Sequence, residues 1–235
     1  MSPDSAELIA AVERSPDAAA RHDRAGWVGL FTEDGRVEDP VGSRPHVGRA
    51  QLERFYDTFI GPRDISFHRD LDVVRDTSVV RDLTIEVNMS ASVTLMTPVF
   101  IRYDMRRAGG QWRIARLRAY WELPGMIREF LRHGAASMPV GLRLSTSLLR
   151  NQGLGGTLGF ASGFRGVGAR GKLALRDYLA ERGYCSTKML AAGNTVGATV
   201  TTESGRAILL AEIGPGGNGI GRVEQFADDG SSTLH

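Results

Sequence analysis

One carboxylate in this sequence is placed where a side chain could move protons. Asp39 closes the run Arg36-Val37-Glu38 and is followed at once by Pro40, within Val37-Glu38-Asp39-Pro40-Val41-Gly42-Ser43. Proline fixes its own backbone and biases the residue before it toward an extended conformation. A strand that ends here holds Asp39 on the rim of a sheet, and a carboxylate kept from bulk water is a general base. Taken alone, an Asp-Pro pair is also what an ordinary turn looks like, and both readings stand at this point. Glu38 alternates to the other side of such a strand and is expected to face solvent.

Other chemistries find less in the sequence. His22, His46, His68, His133 and His235 show no ligand-like spacing, so no metal is expected, and no Ser-His-Asp set can be assembled. The one cysteine, Cys185, excludes an intramolecular disulfide and a cysteine metal cluster. The glycine-rich run from Gly153 to Gly168 lacks the Lys-Ser/Thr of a phosphate-binding loop and follows no clear strand. It reads as a packed connector, and no cofactor is expected.

At 235 residues the chain holds one large domain, or a domain and part of a second. Its 42% hydrophobic and 24% charged residues are those of a soluble globular protein. A net charge of +2 is too small to point to nucleic acid or an anionic membrane surface. No run approaches the ~20 apolar residues of a membrane span, and no basic segment leads into an apolar core, so a cytoplasmic location is expected.

The elements that must position Asp39 follow from periodicity. Residues 5–14 predict a short helix, and Ser15-Pro16-Asp17 a fresh helix start running to Phe31, interrupted near Asp23 and Gly26. Residues 32–35 read as a turn, and Arg36–Glu38 as a short strand. Behind it, Gly48 to Tyr56 predicts an amphipathic helix with Leu52, Phe55 and Tyr56 on one face. Strands are predicted over Ile65–Val74, Leu83–Met89, Val93–Met105 and Trp112–Glu122. Pro98 marks an edge or bulge, and Ala108-Gly109-Gly110 a hairpin turn. Met126–Leu131 closes this half as a short helix.

The run VEDPVGS-P--G-A-L--FY resembles the steroid Δ-isomerase (ketosteroid isomerase) family, whose strand-end VEDPVG carries the catalytic aspartate. The resemblance extends from about Asp23 to Trp121. It implies the curved α+β cone of the nuclear transport factor 2 superfamily, which also holds SnoaL-like cyclases and dehydratases: a curved antiparallel sheet packed with helices, cystatin-like. It also implies that Asp39 is the base. Tyr56 matches a supporting tyrosine of the family, and is either a direct donor or a core tyrosine with a satisfied hydroxyl. The family's two oxyanion-donor positions fall near Ser15 and Ile101, neither of which can replace a phenol or a protonated carboxyl. Trp27, Phe31, Phe55, Leu83, Ile85, Val87, Leu117, Ala119 and Trp121 are expected to wall an apolar pocket, and could equally be plain core.

The expected organisation is a cone domain over 1–133, a glycine-rich helical connector over 134–170 with a helix over Met138–Gln152, and a second α+β part over 171–235. In that last part Gly171-Lys-Leu-Ala-Leu-Arg-Asp-Tyr-Leu echoes Gly48-Arg-Ala-Gln-Leu-Glu-Arg-Phe-Tyr. Strands over Thr195–Thr201, Ala207–Ile213 and Ile220–Phe226 then make it either a degenerate half-repeat or an unrelated β-rich appendage. The functional expectation is proton transfer on a hydrophobic, steroid- or polyketide-like carbonyl compound, the alternative being a non-catalytic module that binds such molecules. A small hydrophobic molecule is the expected partner, with a homodimer through the sheet as a further expectation.

Overall fold

Four layers stack in the order helices, sheet, sheet, helix in this computed structural model, which describes residues 3–134, 138–139, 141–142, 146, 150, 166–217 and 219–227. The first layer is α1 (Pro3–Ala20), α2 (Arg24–Gly29) and α3 (Arg49–Phe55), the last running into a π-helical turn over Tyr56–Ile60. They cover one face of a six-stranded sheet of β1 (Phe31–Glu38), β2 (His46–Val47), β3 (Asp64–Arg75), β4 (Ser78–Ser90), β5 (Val93–Ala108) and β6 (Gln111–Tyr120), in the order β2-β1-β6-β5-β4-β3. All pairings are antiparallel except β1 with β6. A helix α4 (Leu123–Arg132) follows, and its Met126 and Phe130 pack on Val93 and Leu95.

After α5 (Gly168–Glu181) the chain folds into a second sheet, a meander of β7 (Cys185–Ala192), β8 (Thr195–Thr202), β9 (Gly205–Ile213) and β10 (Ile220–Ala227). Helix followed by a four-stranded antiparallel meander is also the run from α3 through β3–β6. The expected helix over Met138–Gln152 and the glycine-rich connector lie largely outside the described residues.

Alternation along the strands assigns the two faces. Val79 and Leu83 of β4, Ile101 and Tyr103 of β5, and Leu117 and Ala119 of β6 point into the cone, where Trp27, Phe31, Phe55 and Tyr56 from the helices meet them. Val80, Phe100 and Tyr120 point the other way and form a second core with Leu190, Ile208, Leu210 and Phe226 of the second sheet. The second sheet therefore covers the face of the first that the helices leave open.

Several local expectations are corrected. α1 runs unbroken through Pro16, although proline inside a helix costs about 3 kcal/mol. Leu8, Val12, Ser15, Ala18 and Ala19 are all buried along it, so packing on the sheet outweighs the lost backbone bond. The interruption expected near Asp23 is a full break: His22 adopts φ 54°, and the Asp23 carboxylate accepts the Gly26 amide at 2.7 Å to start α2. The turn expected over 32–35 lies inside β1, as an irregularity in its pairing with β6 between Phe31 and Arg36. Pro98 pairs with Thr84 at a point where β6 has already ended opposite Phe100, so its missing N–H disturbs no ladder on that side.

The two sheets are joined by a charge as well as by grease. Lys188 of β7 reaches across to the first sheet, where its Nζ donates to Asp82 Oδ1 at 2.5 Å, Leu83 O at 2.8 Å and Val99 O at 3.0 Å. Thr199 donates to the other Asp82 oxygen. Asp82 is buried, and burial pushes the Lys188 ammonium below its ordinary pKa even with Asp82 beside it. Removing one partner of such a pair strands the other in a dry interface. Lys188→Met is expected to lower unfolding stability by about 3–5 kcal/mol, and adding Asp82→Leu to recover most of that loss. Chemical denaturation of the single and double variants checks this.

Candidate active site

Asp39 leaves the sheet one residue after Glu38, which pairs with Arg118 of β6. The loop that follows is held at several points. The Asp39–Pro40 peptide bond is cis, the Val41 amide donates to Ala119 O at 2.8 Å, and Ser43 donates to Pro40 O at 2.9 Å. Glu38 corrects an expectation: it does point away from Asp39, but not into solvent. Its carboxylate accepts Arg116 Nη2 and the Gly42 amide, both at 3.0 Å, and so ties the loop back to the strand.

The second sheet presses on the same loop. Val41 is buried in the core shared with Leu190 and Ala192. Gly193, at φ 56° in the β7–β8 turn, sits so close that a Cβ there would lie 3.0 Å from the Gly42 Cα. The adjacent Ala191 amide donates to Glu122 Oε1 at 3.0 Å, just past the end of β6. Residues from both halves thus fix where the Asp39 carboxyl stands.

That carboxyl is desolvated, and burial pushes its pKa up to about 6 against a single opposing hydrogen bond from the Trp121 indole. Trp121 Nε1 donates to Asp39 Oδ1 at 2.5 Å. Desolvation penalises the charged form, the hydrogen bond favours it, and here desolvation wins. An acid of this pKa is ionised at neutral pH yet accepts a proton readily, the balance a general base requires.

The cone interior behind it is aromatic. Trp27 lies 4.8 Å from Phe31, 5.9 Å from Phe55 and 5.7 Å from Tyr56, centroid to centroid. Trp27, Phe31, Phe55, Leu83, Leu117 and Ala119 are buried in this core, whereas Ile85, Val87 and Trp121 are half-buried. Tyr56 is buried too, and its hydroxyl has no hydrogen-bond partner, so the satisfied core tyrosine of the sequence reading is not what stands there. Burial raises its pKa, with Asp23 and Asp57 adding to the effect, which keeps the phenol protonated. His46 packs against Phe55 and is pushed down to about 4 by burial together with Arg54 and Arg44.

A cleft of about 300 Å³ opens between α1 and strands β3–β5. Its apolar lining is Pro16, Phe67, Leu83 and Ile101, and its polar lining Glu13, Arg69, Arg81 and Tyr103. Of the residues expected as pocket walls, Leu83 alone lines this cleft, and neither Asp39 nor Tyr56 does. Ser15 is buried and hydrogen-bonded to the Tyr103 phenol, and Ile101 is apolar core. Sequence reasoning passed over Arg81 and Tyr103, although Tyr103 and Ile101, two residues apart on one strand, share a face. Among the described residues no cluster of His, Cys, Asp or Glu could hold a metal. Nor is any described helix long and apolar enough to cross a membrane.

Residues 12–123 match the SnoaL-like domain family, the segment over which the cone is built. A steroid Δ-isomerase from Nocardioides simplex is 42% identical over 59 residues, 25% of this chain and 48% of that protein, so the chain spans about half the length of the curated relative. Among solved structures, a Δ5-3-ketosteroid isomerase from a Mycobacterium species is 27% identical with a TM-score of 0.46, over 50% of this chain and 95% of its own. A Mycobacterium tuberculosis protein in complex with estradiol-17β-hemisuccinate is 22% identical, also with a TM-score of 0.46 and the same coverage. Residues 12–123 are thus similar to SnoaL-like domains, within the superfamily that the resemblance implied.

The raised pKa has a stability consequence with a definite sign. The folded carboxyl ionises near 6 and the unfolded one near 3.8, so between those values the folded chain holds the extra proton. On this account stability falls as pH rises through that window. Asp39→Asn, which keeps an acceptor for Trp121, is expected to match the parent at pH 4 and to be the more stable protein above pH 6. Denaturation midpoints measured across the window check it.

Proposed function

We propose that the SnoaL-like domain moves a proton between two carbons of a hydrophobic carbonyl compound, steroid- or polyketide-like, with Asp39 as the base. What supports this reading is the Asp39 carboxyl, hydrogen-bonded by the Trp121 indole and pushed by burial up to about 6. In the step, the ionised Asp39 takes a proton from the carbon beside the carbonyl. The C–H electron pair passes into the conjugated system, and negative charge collects on the carbonyl oxygen. Asp39, now neutral and at ease in its dry surroundings, returns the same proton to the distal carbon as the double bond shifts. Atoms and electrons balance with no further reagent. The steroid Δ-isomerase relative, 42% identical over 59 residues, supports this choice of substrate class.

A second reading has its own observation behind it. Ser15 is engaged with Tyr103, and Ile101 offers no donor, so the positions at which the family would stabilise the oxyanion are occupied by other groups. On that reading the domain binds apolar ligands without turning them over. Residues 171–235 are read in either case as a reduced second copy, serving as a brace for the Asp39 loop.

Isomerisation of a Δ5-3-ketosteroid separates the two. The enzyme reading expects kcat/KM to rise with pH to a plateau above an inflection near 6, and Asp39→Asn to lower kcat at least a hundredfold with ligand affinity little changed. Equal turnover in parent and variant would remove Asp39 from the reaction.

A further inference from the structure

We propose that Tyr103 and Arg81 are the hydrogen-bond donors for the ligand's carbonyl oxygen, and that the cleft they line takes neutral, apolar molecules bearing such a group. The proposal deepens the reading given to Asp39, but its binding claim stands without turnover.

Arg81 is 4% exposed, projects into the cone beside Ile101 and lines the cleft. A guanidinium in an apolar interior is costly unless its donors are matched. One of its nitrogens is matched twice: Nη2 donates to Glu13 and, at 3.1 Å, to Asp72. Its Nε, buried in the same place, has no partner at all. Tyr103 stands one pleat along the neighbouring strand, also buried and lining the cleft. The Ser15 hydroxyl can donate to its phenol oxygen, which leaves the Tyr103 proton to be given elsewhere. Burial pushes this phenol up, while Arg81 and Ser15 pull it the other way, so it remains a neutral donor beside a cation.

The charges around this pair select the ligand. Arg81 and Arg69 are balanced by Glu13 and Asp72, with Arg69 3.3 Å from each carboxylate. A ligand arriving with a full negative charge meets two carboxylates already in place. A carbonyl oxygen brings acceptor lone pairs and no charge, and it matches two unspent donors. Pro16, Phe67, Leu83 and Ile101 supply the apolar wall for the rest of the molecule.

The register also relates these donors to Asp39. Ile101 faces Ala119 on one side and Arg81 on the other, and Ala119 accepts the Val41 amide just past Asp39. At the spacing of neighbouring strands, Tyr103 stands two strands, about 10 Å, from the strand that ends in Asp39. To act on one carbonyl and the carbon beside it, a ligand has to place that group across this interval.

The test is an absorbance titration with an equilenin-type phenol, followed by the same titration on Tyr103→Phe and on Asp39→Asn. The parent is expected to bind the phenol with a shift in its absorption. Tyr103→Phe is expected to weaken binding about tenfold and to reduce the shift, while Asp39→Asn keeps both. A second readout in the parent needs no variant: isotope-labelled tyrosine should show the Tyr103 ring signal moving on ligand addition. Tyr103-dependent binding without turnover by the parent would overturn the Asp39 reaction and leave this proposal standing. Unchanged affinity and spectrum in Tyr103→Phe, a motionless Tyr103 signal, or failure of the parent to bind the phenol would each overturn it.

Discussion

A sheet buried on both faces has nowhere to place a charge except against another charge, and the rest of this fold follows from that constraint. The outer face of the first sheet carries Asp82, Arg102, Asp104, Arg116 and Arg118, a polar row that an exposed sheet could leave to water. Here the second sheet covers it. Arg102 pairs with Asp104 and with Glu224 of β10, both at 2.7 Å, and Arg118 with Asp104 at 3.0 Å. Lys188 answers Asp82 and spends its remaining protons on two backbone carbonyls. Such pairs add little net stability over an apolar interface. The pairs that cross between the sheets, Lys188 with Asp82 and Glu224 with Arg102, favour one alignment, because a slip would leave Lys188, Asp82 and Glu224 without these partners.

That alignment reaches the candidate site. With the sheets locked, Gly193 comes to rest on Gly42, and Val41 enters the shared core. Glu38 takes its Arg116 partner on the far side of the strand. The loop after Asp39 is thereby held from the face opposite the cone. Placing the carboxyl there raises its pKa, and this destabilises the folded chain at neutral pH. A site of this kind depends on support from elsewhere, and the two cores provide it.

Much of this architecture was legible in the sequence, and the losses have physical causes. Clean alternation in Leu83–Met89 located β4, which the structure extends to Ser78–Ser90, and Gly109-Gly110 located the turn of the β5–β6 hairpin. The break expected at Ser15-Pro16 failed because local propensity, worth a few kcal/mol at most, competes with a whole buried helix face. β7 was not foreseen: Cys-Ser-Thr-Lys-Met-Leu-Ala-Ala alternates poorly, since its first residues are exposed and its Lys188 points inward. For the candidate site the division is sharper. The segment around Asp39 is local in sequence and could be read from it. Glu13, Asp72, Arg81 and Tyr103 lie on four elements, and only the register of β3, β4 and β5 brings them together.

The cone therefore deals with burial of charge in two different ways, and the difference has chemical consequences. At Asp39 nothing compensates the carboxylate except one indole N–H, so the group yields by raising its pKa and becomes able to exchange a proton near neutrality. At Arg81 the cation is matched by Glu13 and Asp72, and it stays charged. Burial pushes Asp72 up even there, against the pull of Arg81 and Arg69. The match is incomplete, because Arg81 Nε and Asp72 Oδ1 are both buried without partners. One of the two sites thus holds a carboxyl fit to carry a proton, with the Trp121 indole as its donor. The other holds the unpartnered Arg81 Nε, with the Asp72 carboxyl, also pushed up by burial, beside it. Moving a proton along a conjugated carbonyl requires both kinds of group within reach of the same carbonyl and the carbons conjugated with it.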